Sequence, residues 1–213
     1  MAATHFHPRT HATFESGAMA PVAGQKENTA TTAEVTEAEV VRSKAARISL
    51  ALVRYGFGFT FLWAFFDKLL ALGYATGRAD DGTVDRFGDA AWIHGGSPTE
   101  GFLKFGADGP FKDFYNNIAG AWWADVLFMA GLLGIGLTLL FGVGMRIGTA
   151  AGALMYAFMY TASLPLENNP VVDDHLIGII VMAVLALGAA GSTWGFGRLW
   201  DKTTVVQEHP VLR

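Results

Sequence analysis

The chain has 213 residues and a formal net charge of -4; 52% of it is hydrophobic, only 16% is charged, and there is no cysteine. Without cysteine, disulfide frameworks, thiolate metal sites, CxxC redox pairs and persulfide relays are excluded within the chain. No basic, aromatic-interleaved patch points to nucleic acid, and no Walker loop or GxGxxG turn points to a nucleotide cofactor.

Charge gathers in the tail and loops while long apolar runs stay nearly free of it, which is the composition of a membrane protein. A bilayer core about 30 Å thick takes roughly 20 apolar residues per helix, and the segments 48 to 72, 119 to 142, 147 to 164 and 176 to 194 qualify. The expected fold is therefore all-α: an integral membrane four-helix bundle over residues 43–202, with a cytoplasmic N-terminal tail (1–42), disordered or partly helical, and a cytoplasmic C-terminal tail (203–213).

Residues 1 to about 32 hold few large apolar groups and cannot bury enough surface to offset the entropy of ordering. They lack an apolar h-region, so no cleavable signal peptide is expected and insertion falls to the first span. His5, His7 and His11 read as solvated tail residues. Thr36 followed by Glu39 has the form of a capping box, which predicts a helix running from there through Arg42 and Arg47 into the first span. Arg54, on nearly the same face as Arg47, is expected to snorkel to the cytoplasmic interface.

Near the end of the first span, spacing of four puts Trp63 and Asp67 on one helix face. Two readings of Asp67 stay open: a membrane carboxylate lining a polar cavity, or an interfacial marker beside Lys68 with Trp63 in the aromatic belt. In the long loop that follows, Ser97-Pro98-Thr99-Glu100 combines an N-cap serine, a proline at the first helical position and a glutamate at the third. A short helix over 98 to 105 is predicted, apolar through Phe102, Leu103 and Phe105 and so expected to lie on the membrane or to fold over the bundle as a lid. Gly109-Pro110 restarts a helix that feeds the second span, and Asp125 falls about one turn into that span, where a helix N-terminus favours negative charge.

The third and fourth spans are joined by a polar hairpin, Pro165 to His175. Asp173 is placed as N-cap of the fourth span, which leaves Glu167, Asn168, Asn169, Asp174 and His175 without a purely structural reason. A histidine beside carboxylates suits proton transfer near neutral pH. Metal-ligating chemistry is present in Glu167, Asp174 and His175, but no HExxH or other diagnostic spacing accompanies it, and no metal is assigned.

Basic residues flank the predicted cytoplasmic ends: Arg42, Lys44, Arg47, Arg146, Arg198 and Lys202. The loop from Tyr74 to Ile118 carries four basic against seven acidic residues, and the hairpin carries Glu167, Asp173 and Asp174 with no Lys or Arg. The positive-inside rule then predicts a multi-pass protein of the cell membrane with both termini cytoplasmic and both acidic loops outside.

LWAFFDKL at 62 to 69, WIHGGSPTEGFL at 92 to 103, GMRIG at 144 to 148, LPLENNPVVDDHLI at 164 to 177 and GSTWGFGRLW at 191 to 200 together resemble the DoxX/DoxD family of four-helix membrane proteins. The likeness covers about residues 44 to 202. It implies a role like that of the membrane subunit of thiosulfate:quinone oxidoreductase, which with a separate small subunit oxidises thiosulfate to tetrathionate and passes the electrons to a quinone. It also directs interest to Asp67, the Trp92 to Phe102 loop, Arg146, and Glu167 through His175.

The expected site is thus an apolar slot for a quinone lined by Trp63, Phe66 and Trp122, with Asp67, Asp125, Glu167, Asp174 and His175 as catalytic or proton-carrying groups. Expected partners are the quinone, membrane lipids and a small subunit or soluble redox protein, with self-association left open and no nucleic acid. Thiosulfate is a dianion, and Lys68 and Lys104 are the meagre positive charge available to it. The alternative is a non-catalytic membrane scaffold for a soluble redox or stress-response complex, favoured by the absence of cysteine.

Overall fold

A computed structural model of the chain describes residues 37–212. The tail reading of residues 1 to 32, with His5, His7 and His11, and the Thr36 half of the capping box lie outside the described residues. What is described is helical: α1 (Glu37–Val40), α2 (Lys44–Leu70), α3 (Lys112–Ile118), α4 (Trp122–Phe141), α5 (Met145–Ala162), α6 (Asp174–Leu187), α7 (Gly197–Trp200) and α8 (Thr204–Glu208). Among the described residues no strand forms; Arg78 and Val84 make one isolated antiparallel bridge.

The long helices pack in chain order, α2 on α4, α4 on α5 and α5 on α6. Their shared core is Phe61 and Phe65 of α2, Met129, Leu132, Ile135 and Leu139 of α4, Met145 of α5, and Met182 and Leu185 of α6. Small residues set the helix separation: a Cβ on Gly136 would lie 2.7 Å from the Leu62 side chain and 3.0 Å from the Leu62 nitrogen, so only glycine lets α2 and α4 approach this closely. Among the described residues two helices, α2 with 27 residues and α4 with 20, are long and apolar enough to cross a membrane; α6 is apolar but has only 14 residues.

Two expectations about helix boundaries are corrected. No continuous helix runs from residue 37 into α2, because the chain breaks at 41–43 and Ser43 starts α2 afresh, its hydroxyl accepting from the Ala46 N–H at 3.4 Å. The fourth apolar segment does not stay helical to 194; α6 ends at Leu187, and Ala189 and Trp194 adopt φ of 47° and 53°. That break is fixed by close packing on the end of α4. Gly142, at φ 69°, caps α4, and a Cβ there would come within 2.4 Å of the Gly191 carbonyl, while the Phe196 N–H donates to the Phe141 carbonyl at 2.8 Å.

Arg54 does not snorkel. It is fully buried, and its guanidinium donates to the carbonyls of Leu139, Leu140 (2.9 Å), Thr193 (3.1 Å) and Trp194 (3.2 Å). Glu37 is buried on the same knot, its carboxylate accepting from the Thr193 N–H at 2.8 Å and the Thr193 hydroxyl at 2.9 Å.

Candidate functional site

A large cavity lies between α4 and α5 beneath the 97–106 segment, with a volume of about 1210 Å³. One wall is α4, through Trp123, Ala124, Leu127, Phe128, Gly131 and Ile135. The other is α5, through Ala151, Leu154, Met155, Phe158 and Met159, which recur at i, i+3, i+4, i+7 and i+8 and so form one helix face. The roof is Ser97 to Leu103 with Phe105, and α3 adds Phe114, Tyr115 and Ile118. Among the described residues only two charged ones, Lys68 and Glu100, line it.

The roof forms much as its sequence predicts. The Ser97 hydroxyl accepts from the Glu100 N–H at 3.1 Å, as an N-cap should. The turn then widens into a π-helix over Phe102–Gly106 rather than a regular α-helix, and Phe105 is left 81% exposed. Lys104 pairs with Glu100 at 3.2 Å on the exposed side. At the other edge of the roof, the Tyr115 hydroxyl donates to the Phe158 carbonyl at 3.0 Å and lies 2.6 Å from the Thr161 hydroxyl, which ties α3 to α5.

Asp125 is the clamp of this arrangement. It is buried in the first turn of α4, and its Oδ1 accepts from the Ser97 hydroxyl (2.8 Å), the Thr99 N–H (3.1 Å) and the Thr99 hydroxyl (2.6 Å). A buried carboxylate is tolerable when hydrogen bonds replace its hydration. Asp67 is satisfied in the same way, its two oxygens accepting from the Tyr74 N–H at 3.2 Å and the Ala75 N–H at 2.9 Å. It therefore organises the turn after α2, and neither of its two sequence readings describes that role.

Trp63, Phe66 and Trp122, expected to line a quinone slot, do not line this cavity, and neither do Asp67, Asp125, Glu167, Asp174 or His175. Trp63 packs edge-on against Tyr74, with ring centres 5.0 Å apart, Phe66 packs against Phe65 at 5.3 Å, and Trp122 is 77% exposed. The tryptophan that does face the cavity is its neighbour, Trp123. The α5 wall had a readable sequence signal in its helical periodicity, but a lipid-facing stripe has the same pattern, and the sequence alone does not separate the two.

The hairpin makes a small site of its own. Asp173 caps α6, Oδ1 accepting from the Leu176 N–H at 2.9 Å, while Oδ2 lies 2.6 Å from His175 Nδ1. His175 also meets the Tyr156 ring at 6.3 Å. Glu167 and Asp174 are exposed. Among the described residues no group of three or more His, Asp or Glu side chains converges in a way that could hold a metal ion. Partial burial raises the Asp173 carboxyl, but the Leu176 and His175 hydrogen bonds and the His175 charge together outweigh it and hold the group below the ordinary carboxylate range.

That direction fixes a pH dependence. A carboxylate with a depressed folded-state pKa stabilises fully above its unfolded value of about 3.9 and loses that contribution as pH falls through the folded value. Asp173→Asn keeps an N-cap acceptor but removes the titration. The expected outcome is a thermal midpoint that declines less below about pH 4 in Asp173→Asn than in the wild type; parallel acid profiles would show that Asp173 contributes nothing to acid sensitivity.

Comparison of the chain with protein-family models, curated proteins and solved structures finds no match.

Proposed function

We propose that this chain is the membrane subunit of a quinone-linked oxidoreductase, a four-helix membrane domain that binds the quinone head beneath the 97–106 segment. The single observation that carries the reading is the cavity: about 1210 Å³, walled by apolar side chains, with Lys68, Glu100, Ser97 and Thr99 among its few polar groups. Pockets of roughly 300–1,000 Å³ hold drug-sized ligands, so a substituted quinone ring fits with room for part of its chain.

Membrane insertion is supported by what the long helices leave uncovered. Leu52 and Phe59 of α2, Leu127 of α4, Leu154 of α5 and Ile180 and Leu187 of α6 are each more than half exposed, and large apolar patches are rare on soluble monomers. The 18 residues of α5 rise about 27 Å and the 14 of α6 about 21 Å; the short fourth span is completed by protein-packed backbone at 188–196. In this reading both termini are cytoplasmic and the roofed end faces outward.

Reduction of a quinone takes two electrons and two protons and yields the quinol. Lys68, half-buried in the cavity wall, donates to a quinone carbonyl and stabilises the negative charge that develops on it. Glu100 is partly exposed and also lines the space, so it exchanges protons between water and the ring. Glu100 thus takes the proton-carrying role expected from the sequence for Asp67, Asp125, Asp174 and His175. For thiosulfate as donor, oxidation of two dianions to one tetrathionate releases the two electrons; with Lys68 the one cation in the lining, the anion site belongs to a separate small subunit.

The purified chain with its co-purifying partners should reduce a decylquinone when given thiosulfate, and Lys68→Met should lower kcat by about 10²-fold or more with the folded protein retained. No turnover in the presence of partners would sink the enzyme reading. A second reading, a non-catalytic scaffold, is favoured by one observation: the buried carboxylates Asp67 and Asp125 are already taken up in holding loops, while the acidic groups Glu167 and Asp174 are exposed for a partner.

A further inference from the structure

The cavity between α4 and α5 is not closed on its flank. Trp123 and Leu127 on one side and Leu154 and Phe158 on the other line it and are also 45%, 66%, 58% and 53% exposed. The same side chains therefore form the cavity wall and the outer surface of the two helices. The space is polarised along its length. Ser97 and Thr99, bonded to Asp125 in the first turn of α4, and Glu100 beside them mark one end, and the α4 and α5 faces that line the rest are apolar down to Ile135, which is buried against the core. From Trp123 to Ile135 the helical rise gives a cleft about 18 Å long.

We infer that the cleft between α4 and α5 is a lateral portal, through which a polar-headed, long-chain amphiphile passes from the bilayer and along which its chain lies when the head is under the roof. The inference rests on the quinone reading above and specifies the substrate as a long-chain quinone rather than a water-soluble one. Three observations support that occupant over a compact one. The hydroxyls and carboxylate of the roof, on Ser97, Thr99 and Glu100, sit at one end. The apolar stripes on both helices exceed the dimensions of a ring. The opening is bordered by large apolar side chains, which offer a water-soluble ligand nothing to bind.

Two positions control the cleft without belonging to the polar end. Ala151 is exposed on the α5 wall, so a larger side chain there enters the cleft without disturbing the core. Gly131 faces it across α4, and a Cβ at that position meets only Met155 Cε, at 2.5 Å, which is the free end of a flexible side chain. Substitution there displaces Met155 into the same space.

The test is equilibrium binding of two probes to the full chain in detergent, a decyl-substituted benzoquinone and its tail-less parent, read by quenching of Trp123 fluorescence with Trp123→Phe as the blank. The expected result is that Ala151→Phe weakens the decyl compound by about tenfold and changes the tail-less one by less than about twofold. Gly131→Leu should reproduce the same split and covers the case in which Ala151→Phe is poorly folded. Equal losses for both probes, or no loss for either, would overturn the portal while leaving the head site intact. Failure of both probes to quench the wild-type protein would overturn the quinone reading itself, and the portal with it.

Discussion

Arg54→Leu is expected to lower the thermal midpoint of the purified protein by on the order of 10 °C, as a loss of about 3 kcal/mol would in a domain of this size. The reason lies in the backbone. α4 ends at Phe141 and leaves its last carbonyls without helical partners, and the segment after α6 is irregular from Gly188 on, with left-handed residues at Ala189 and Trp194. Both sets of carbonyls are turned toward the same buried point. The Arg54 guanidinium occupies it, donating to Leu139 and Leu140 of α4 and to Thr193 and Trp194 beyond α6. Its positive charge also lies at the C-terminal, negative end of α4.

Leucine fills much of the volume and leaves four carbonyl contacts unmade, of which that to Leu139 is buried and the others partly so, the Trp194 carbonyl keeping the Tyr55 hydroxyl as a donor. Arg54→Lys should recover little of the loss, because an ammonium cannot reproduce a planar fork that serves two separate chain segments. In a membrane the argument is stronger, since irregular backbone persists there only where protein groups satisfy it. Circular dichroism melts of the three proteins decide the matter; a leucine variant as stable as the wild type would mean that the four carbonyls are satisfied by water, and that the guanidinium is incidental.

Arg54 also marks what could and could not be read from the chain. Apolar length located all four long helices to within a few residues at most ends, because that signal is local and repeated. The fate of Arg54 depended on carbonyls 85 to 140 residues away in sequence, and no local pattern reports a partner at that range. Its position near Arg47 suggested snorkelling for the same reason. The break after Leu187 was hidden by composition: Gly188, Ala189, Ala190 and Gly191 suit a tightly packed helix as well as a turn, and contact with Gly142 decides between them.

The roof was more legible. Ser97, Pro98 and Glu100 specify a helix start by chemistry contained in four residues, and the Ser97 cap forms. Asp173 was legible as a cap on the same grounds. What escaped was the other use of Ser97, as a donor to Asp125, since that joins two elements 28 residues apart. The cavity wall was concealed by ambiguity rather than distance. Trp122 and Trp123 are adjacent, and sequence has no means of choosing which of the two faces inward.

Asp125 accordingly has two incompatible descriptions, a proton carrier or the catch that holds the roof, and they predict different outcomes. As a catch, one carboxylate oxygen accepts three donors from the roof. Hydrogen bonds to a charged acceptor contribute about 1.5–3 kcal/mol each, less when they share an atom. Asp125→Ala should therefore favour local opening by about 3 kcal/mol and raise amide exchange across residues 97–106 by on the order of 100-fold, with α6 unchanged. Asp125→Asn, which keeps an oxygen in place but not its charge, should fall between. If the proposed reaction is catalysed, turnover in the two variants should track roof opening, because loss of the roof lets water reach Lys68 and weakens its interaction with the ring. A proton carrier would behave otherwise: Asp125→Asn would abolish turnover while the exchange of residues 97–106 stayed as in the wild type. That second pattern would return Asp125 to the chemistry and remove it from the roof.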